Sequence, residues 1–168
     1  FTREHPGNLL GWQLLAEARE VGAQIAFEEA RYELASFEID RALGKLGVLT
    51  RTDAGHPGWR LLRARCLHTR FRIDDAMRSN PGPTTMDVSL NAALAECREV
   101  LRFQPDHHTA LVLSAHNLTT LSFNTDRRYS AEWSKKHAAG QLQREEQYLQ
   151  DAGAQLARAA ERSGAVSA

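Results

Sequence analysis

Apolar residues along this chain recur at intervals of three and four, the period of a helix that packs by one face. Leu10, Leu14, Ala18 and Val21 form one such row, and Asn8, after Pro6 and Gly7, is placed to cap a helix over about 9–21. Phe27, Ala30, Leu34 and Phe37 form a second row, which predicts a longer helix over about 23–46 with Gly22 as the break between the two. No proline interrupts residues 7–56, so a single helix bent at Gly22 is the alternative. Gly44 and Gly47 read as the end of that helix, and residues 50–55 as a polar loop.

Pro57 opens a helix over about 58–78, and the run Ser-Asn-Pro-Gly-Pro-Thr-Thr at 79–85 stops it. A helix over about 86–103 follows, capped by Thr85 or Asp87, with Leu90, Ala93, Leu94, Cys97, Val100 and Leu101 on a wide apolar face. Pro105 ends it, and a further helix is expected over about 107–123. Asn124-Thr125-Asp126 reads as a turn before a last helix over about 127–162, capped by Asp126 or Ser130 and bent at Gly140. In that helix Leu142, Leu149 and Leu156 recur at seven, beside Ala152, Ala159 and Ala160. Gly153 falls beside this stripe at a cost of about 1 kcal/mol against alanine. No Val/Ile-rich run suits a strand, so the expected fold is all-α, about six helices in three antiparallel hairpins.

A phrase repeats within this pattern. His5-Pro6-Gly7 followed by Gly11-Trp12-Gln13-Leu14-Leu15 returns as His56-Pro57-Gly58-Trp59-Arg60-Leu61-Leu62, with the tryptophans 47 residues apart. A weaker copy follows Pro105, where His108-Thr109-Ala110-Leu111 leads into Leu113-Ser114-Ala115. Self-similarity at this spacing is the mark of stacked helical hairpins, each of which needs its neighbour to bury its second face.

The phrase resembles the tetratricopeptide repeat, a 34-residue helix–turn–helix unit. Trp12, Leu15 and Ala16 match its first-helix pattern, as do Trp59 and Leu62, although Arg63 stands where a small residue belongs. Ala93, Cys97, Val100 and Pro105, then Leu111, Ser114 and Ala115, match the second helix, the closing proline and the next first helix. The spacings here, 47 from Trp12 to Trp59 and 52 from Trp59 to Leu111, are longer than that repeat. A generic α-solenoid or a six-helix bundle satisfies the same pattern. The resemblance implies one domain over 1–168, with units of about 6–50, 56–104 and 106–163. It also implies a concave surface of first helices that binds polypeptide. The matching positions are Gln13, Glu17 and Glu20, with Leu10 assigned to the core; Arg60, Ala64 and Leu67, with His68 beside them; and Thr109, Val112, His116 and Thr119.

Composition narrows the function further. Twenty-one basic residues balance twenty-one acidic ones, so no net field recruits nucleic acid or an anionic membrane. The balance is uneven: residues 1–50 carry −3, residues 51–102 carry +3, and consecutive units of opposite sign can dock. The arginine run Arg60, Arg63, Arg65, Arg70, Arg72, Arg78 does not form one stripe and lacks interleaved aromatics for base stacking. It is expected to pair with acids of the preceding unit. Only three of the cations are lysine, which fits a GC-rich coding genome, and a cytoplasmic location is favoured. The start at Phe1 suggests a fragment or processed product. No stretch reaches the ~20 apolar residues of a membrane span.

Cys66 and Cys97 have no metal-ligand spacing and read as buried thiols. His108 and His116 are two turns apart, ~12 Å of rise, too far to hold one ion without another element. Asp74-Asp75 lacks the further carboxylates of a cation motif. Asn117-Leu118-Thr119 falls inside a helix, which disfavours glycosylation. Hydrolase, zinc-protease, nucleotide and dinucleotide motifs are missing. Trp12 and Trp59 are expected in the core, and Ala16, Ala26, Ala93 and Ala115 at close helix approaches. The leading expectation is a non-catalytic scaffold or adaptor, a subunit that binds a protein or peptide partner without cofactor or metal. The alternatives are an accessory domain of a larger enzyme, or a small helical metal protein using His68, His108 and His116.

Overall fold

The computed structural model describes residues 8–77, 86–129 and 138–165. Six helices make up those residues, α1 (Leu9–Glu28), α2 (Tyr32–Thr52), α3 (Pro57–Met77), α4 (Met86–Phe103), α5 (His108–Tyr129) and α6 (Ala138–Ala165), with no strand among them. The fold is all-α, and among consecutive helices α1 packs on α2, α2 on α3 and α5 on α6. It divides within α4 into two compact units, Phe1–Glu96 and Cys97–Ala168.

In the first unit, α1 starts at Asn8, whose side chain accepts from the Gly11 N–H at 2.8 Å and satisfies one orphan donor of the first turn. The helix ends in a Schellman motif. The Arg31 N–H reaches back to the Ala26 carbonyl at 2.8 Å and the Ala30 N–H to the Phe27 carbonyl at 3.0 Å. Ala30 takes the left-handed conformation, φ 55°, that this motif requires. Contacts then spread outward from the turn in matched steps: Phe27 against Tyr32, Arg19 with Glu38, and Lys45 over Trp12. That order makes α1 and α2 antiparallel.

The core of this unit sets small residues of α1 (Ala16, Ala23, Ala26) against larger ones of α2 (Ile39, Leu46, Leu49) and α3 (Trp59, Leu62, Ile73). Small-against-large packing lets helix axes approach closely while the interior stays filled. α3 begins with Pro57 at its first helical position, and His56 Nδ1 accepts from the Trp59 N–H at 3.3 Å. In the second unit α5 packs on α6. The start of α5 repeats the α3 cap, His107 Nδ1 accepting from the Ala110 N–H at 3.4 Å. Asn8, His56 and His107 thus cap the three odd-numbered helices in one way, each from three residues upstream.

Several sequence expectations are corrected. The first hairpin turns at residues 29–31, not at Gly22, and Gly44 and Gly47 lie inside α2. A helical glycine costs only about 1 kcal/mol, too little to break a helix gripped along its length. The loop after α2 shrinks to residues 53–56, and Asn124–Asp126 continue α5 rather than turning. Without glycine or proline, those three residues only disfavour helix weakly. The last helix starts at Ala138, and Ser130 and Thr85, both expected caps, lie outside the described residues. Trp59 is buried as expected, but Trp12 is only partly buried, packed against the core's edge. Ala16, Ala26, Ala93 and Ala115 are all buried.

The row expected on α4 (Leu90, Ala93, Leu94, Cys97, Val100) is buried, whereas those of α1 and, in part, of α2 and α6 face outward. Leu10, Leu14 and Val21 of α1, Leu34 and Phe37 of α2, and Leu149 and Leu156 of α6 are exposed, while Ala152 and Ala159 take the buried face of α6. On α1 and α6, alanines at helical spacing take the interior where the larger aliphatic row was expected.

Candidate interaction surface

Polar residues stitch α1 to α3. Trp59 Nε1 donates to Gln13 Oε1 at 2.8 Å, and Gln13 Nε2 donates to Glu17 Oε1 at 2.9 Å. Two turns further, Arg65 Nη2 donates to the buried Glu20 carboxylate at 2.6 Å, and Gln24 donates to its other oxygen. Arg72 reaches Glu28 at 3.2 Å and lies 4.4 Å from the centroid of the Phe27 ring. These pairs keep an offset of 44 to 46 residues, so α1 and α3 run parallel, in step with the repeated phrase.

Five arginines of the run are engaged internally, and Arg78 lies outside the described residues. Arg65, Arg70 and Arg72 pair with Glu20, Asp40 and Glu28 of the first hairpin, matching the −3 and +3 segments. Arg70 also holds Asp74 at 3.0 Å; burial works against its charge, but its two carboxylates outweigh that and push its pKa upward. Arg60 donates from Nη1 to Glu96 at 2.7 Å and from Nε to the Ala54 carbonyl at 2.5 Å, and Arg63 completes the clasp on Glu96. Such pairs set register between helices more than they add stability.

The positions expected to touch a partner therefore divide. Glu20 and Ala64 are buried and present nothing to a partner. Gln13 and Arg60 are committed to Trp59 and Glu96, and Leu67 and His68 are half-buried, with the His68 ring 6.3 Å from Phe71. Glu17 stands at the edge of α1 with its carboxylate on Gln13. In the second unit Thr109, Val112 and His116 are exposed on one face of α5. Half-buried Thr119 lies on that same face, its hydroxyl donating to the Ala115 carbonyl at 2.9 Å. The exposed Phe123, 64% accessible, extends it.

An apolar row that the sequence reading assigned to packing lies exposed on α1. Leu10, Leu14, Val21 and Ile25 are 64%, 55%, 50% and 53% exposed. At 100° per residue they fall within an arc of about 60°, on the side of α1 away from α2. Ala18 joins the row, and Gly11 and Gly22 line one margin; a Cβ added at Gly22 would meet nothing within 4 Å. Glu17 and Glu28 line the other margin. The periodicity was legible, but its assignment to the core was not; the competing row Ala16, Ala23, Ala26 was the available signal.

Among the described residues no three His, Cys, Asp or Glu side chains group as a metal ion requires, and no helix is long and apolar enough to cross a membrane. Cys66 and Cys97 are both buried thiols. Burial, reinforced by the nearby Glu20 carboxylate, pushes the Cys66 thiol up to about 12, which removes it as a nucleophile near neutrality. Asn117 is fully buried, so its sequon offers no acceptor in the folded state. Compared with protein-family models, curated proteins and solved structures, the chain matches none.

Proposed function

We propose that this chain is a non-catalytic helical-repeat module, similar to tetratricopeptide repeats, that holds a partner polypeptide. The observation that carries the reading is the exposed aliphatic row on α1, Leu10, Leu14, Val21 and Ile25. Scattered apolar residues on a surface need no explanation, but a contiguous row along one helix marks a surface for another chain. The parallel relation of α1 to α3 and the common capping of α1, α3 and α5 support the repeat reading.

Affinity capture with the wild-type chain and a Leu14→Glu/Val21→Lys variant tests this. Both sites are exposed, so the variant keeps its helical circular dichroism and its denaturation midpoint. A protein recovered by the wild type and lost from the variant supports the module and its face. Identical recovery by both excludes α1 as the binding surface.

A further inference from the structure

We infer that the α1 row receives an amphipathic helix of about four turns whose apolar ridge is flanked by lysine or arginine. The inference rests on the interaction-module reading and names its partner's chemistry. From Leu10 to Ile25 the row spans 16 residues, ~22 Å of rise, the footprint of a helix of similar length. The occupant is a helix because the row's length and period match the ridge of one. Gly11 and Gly22 carry no side chain and Ala18 only a methyl beside Leu14, Val21 and Ile25, and a Cβ at Gly22 would meet nothing within 4 Å, so a second helix can approach closely there.

Charge selects the partner. The sole cation of α1, Arg19, is on the opposite side, bound to Glu38 at 2.6 Å. The row is edged by Glu17, whose carboxylate accepts from the neutral Gln13 amide, and by Glu28, which stays 70% exposed beside Arg72. Glu17 also sits at the midpoint of the row. A second copy docked antiparallel about that midpoint brings two Glu17 carboxylates together, a repulsive pairing. A helix with a cation at the facing position satisfies Glu17 instead.

The test uses the whole chain and three synthetic 18-residue peptides, read by fluorescence anisotropy at two salt concentrations. One is amphipathic with a leucine ridge and lysine flanks, one has the same ridge with glutamate flanks, and one is a scramble of the lysine peptide. The lysine peptide is expected to bind at least tenfold tighter than either control. Gly22→Gln, which adds a side chain into the open space beside the row without a clash in the free chain, should weaken it at least fivefold. Glu17→Lys should reverse the order of the lysine and glutamate peptides. Equal binding of the lysine peptide and its scramble, or no effect of Gly22→Gln, overturns the inference. So does concentration-dependent dimerisation in sedimentation that Val21→Lys abolishes, which would assign the row to a second copy. If no peptide binds while the captured partner of the wild type still depends on Leu14 and Val21, the module reading stands and the basic-helix inference fails.

Discussion

The Arg65 guanidinium, half exposed, holds the carboxylate of Glu20, which is 1% exposed, at 2.6 Å across 45 residues of sequence. The bond ties α1 to α3 at one register. Removing the cation leaves a buried carboxylate served only by the Gln24 amide, whereas removing both charges leaves an ordinary apolar seam. Arg65→Ala is therefore expected to lower stability by about 2–3 kcal/mol, less than the full cost of orphaning a fully buried pair because Arg65 reaches solvent. Glu20→Met with Arg65→Met should return to within about 1 kcal/mol of wild type. Urea denaturation of the three chains checks this; a loss below about 0.5 kcal/mol for Arg65→Ala would mean that Glu20 finds another partner.

The two tryptophans of the repeated phrase are not equivalent. Trp59 is 6% exposed, stacks on His56 at 4.1 Å and donates to Gln13, while Trp12 rests partly exposed under Lys45. Trp59→Ala should cost roughly 3–5 kcal/mol and Trp12→Ala about half that. Equal losses in chemical denaturation would contradict the difference in burial.

Ala30 pays for its position in the first hairpin turn, since a left-handed φ of 55° is strained for any residue with a Cβ. Ala30→Gly should raise stability by about 0.5–1 kcal/mol, the relieved strain less the extra entropy of glycine in the unfolded chain. A decrease in the thermal midpoint would show that the turn does not hold this conformation in solution.

Cys66 links stability to alkaline pH. Its folded pKa is raised from the ordinary 9.0 to about 12, so above pH 9 the unfolded chain gives up a proton that the folded chain keeps. The unfolded state then binds fewer protons, and stability falls as pH rises between about 9 and 12, by at most about 1.4 kcal/mol per unit. The difference in stability between wild type and Cys66→Ala should shrink or reverse across that window. At pH 8 the Cys66 thiol should react with a thiol-specific reagent only after denaturant is added. Rapid modification of Cys66 in the native chain would refute its burial.

Much of the fold is legible in the chain because its signals are local. The helix predicted over 86–103 coincides with α4, and Pro57 and Pro105 mark real boundaries, since a missing N–H and a restricted φ act on immediate neighbours whatever packs nearby. Trp59 is core as read, and the acidic first segment does pair with arginines of the next.

The candidate surface was less legible. Leu10, Leu14 and Val21 and the row Ala16, Ala23, Ala26 share the same period on α1, and a period alone does not say which side faces the interior. α2 and α3 settle it by drawing close enough that only the small row fits between them, and Arg65 brings the charge that lets Glu20 follow it inside. Helix number, helical content and proline-marked ends were thus determined by the sequence, through forces acting over a turn or two. The buried face of α1 and the commitment of Gln13, Glu20 and Arg60 to internal partners were decided by tertiary structure. Each depends on groups tens of residues away that meet only once the chain has packed.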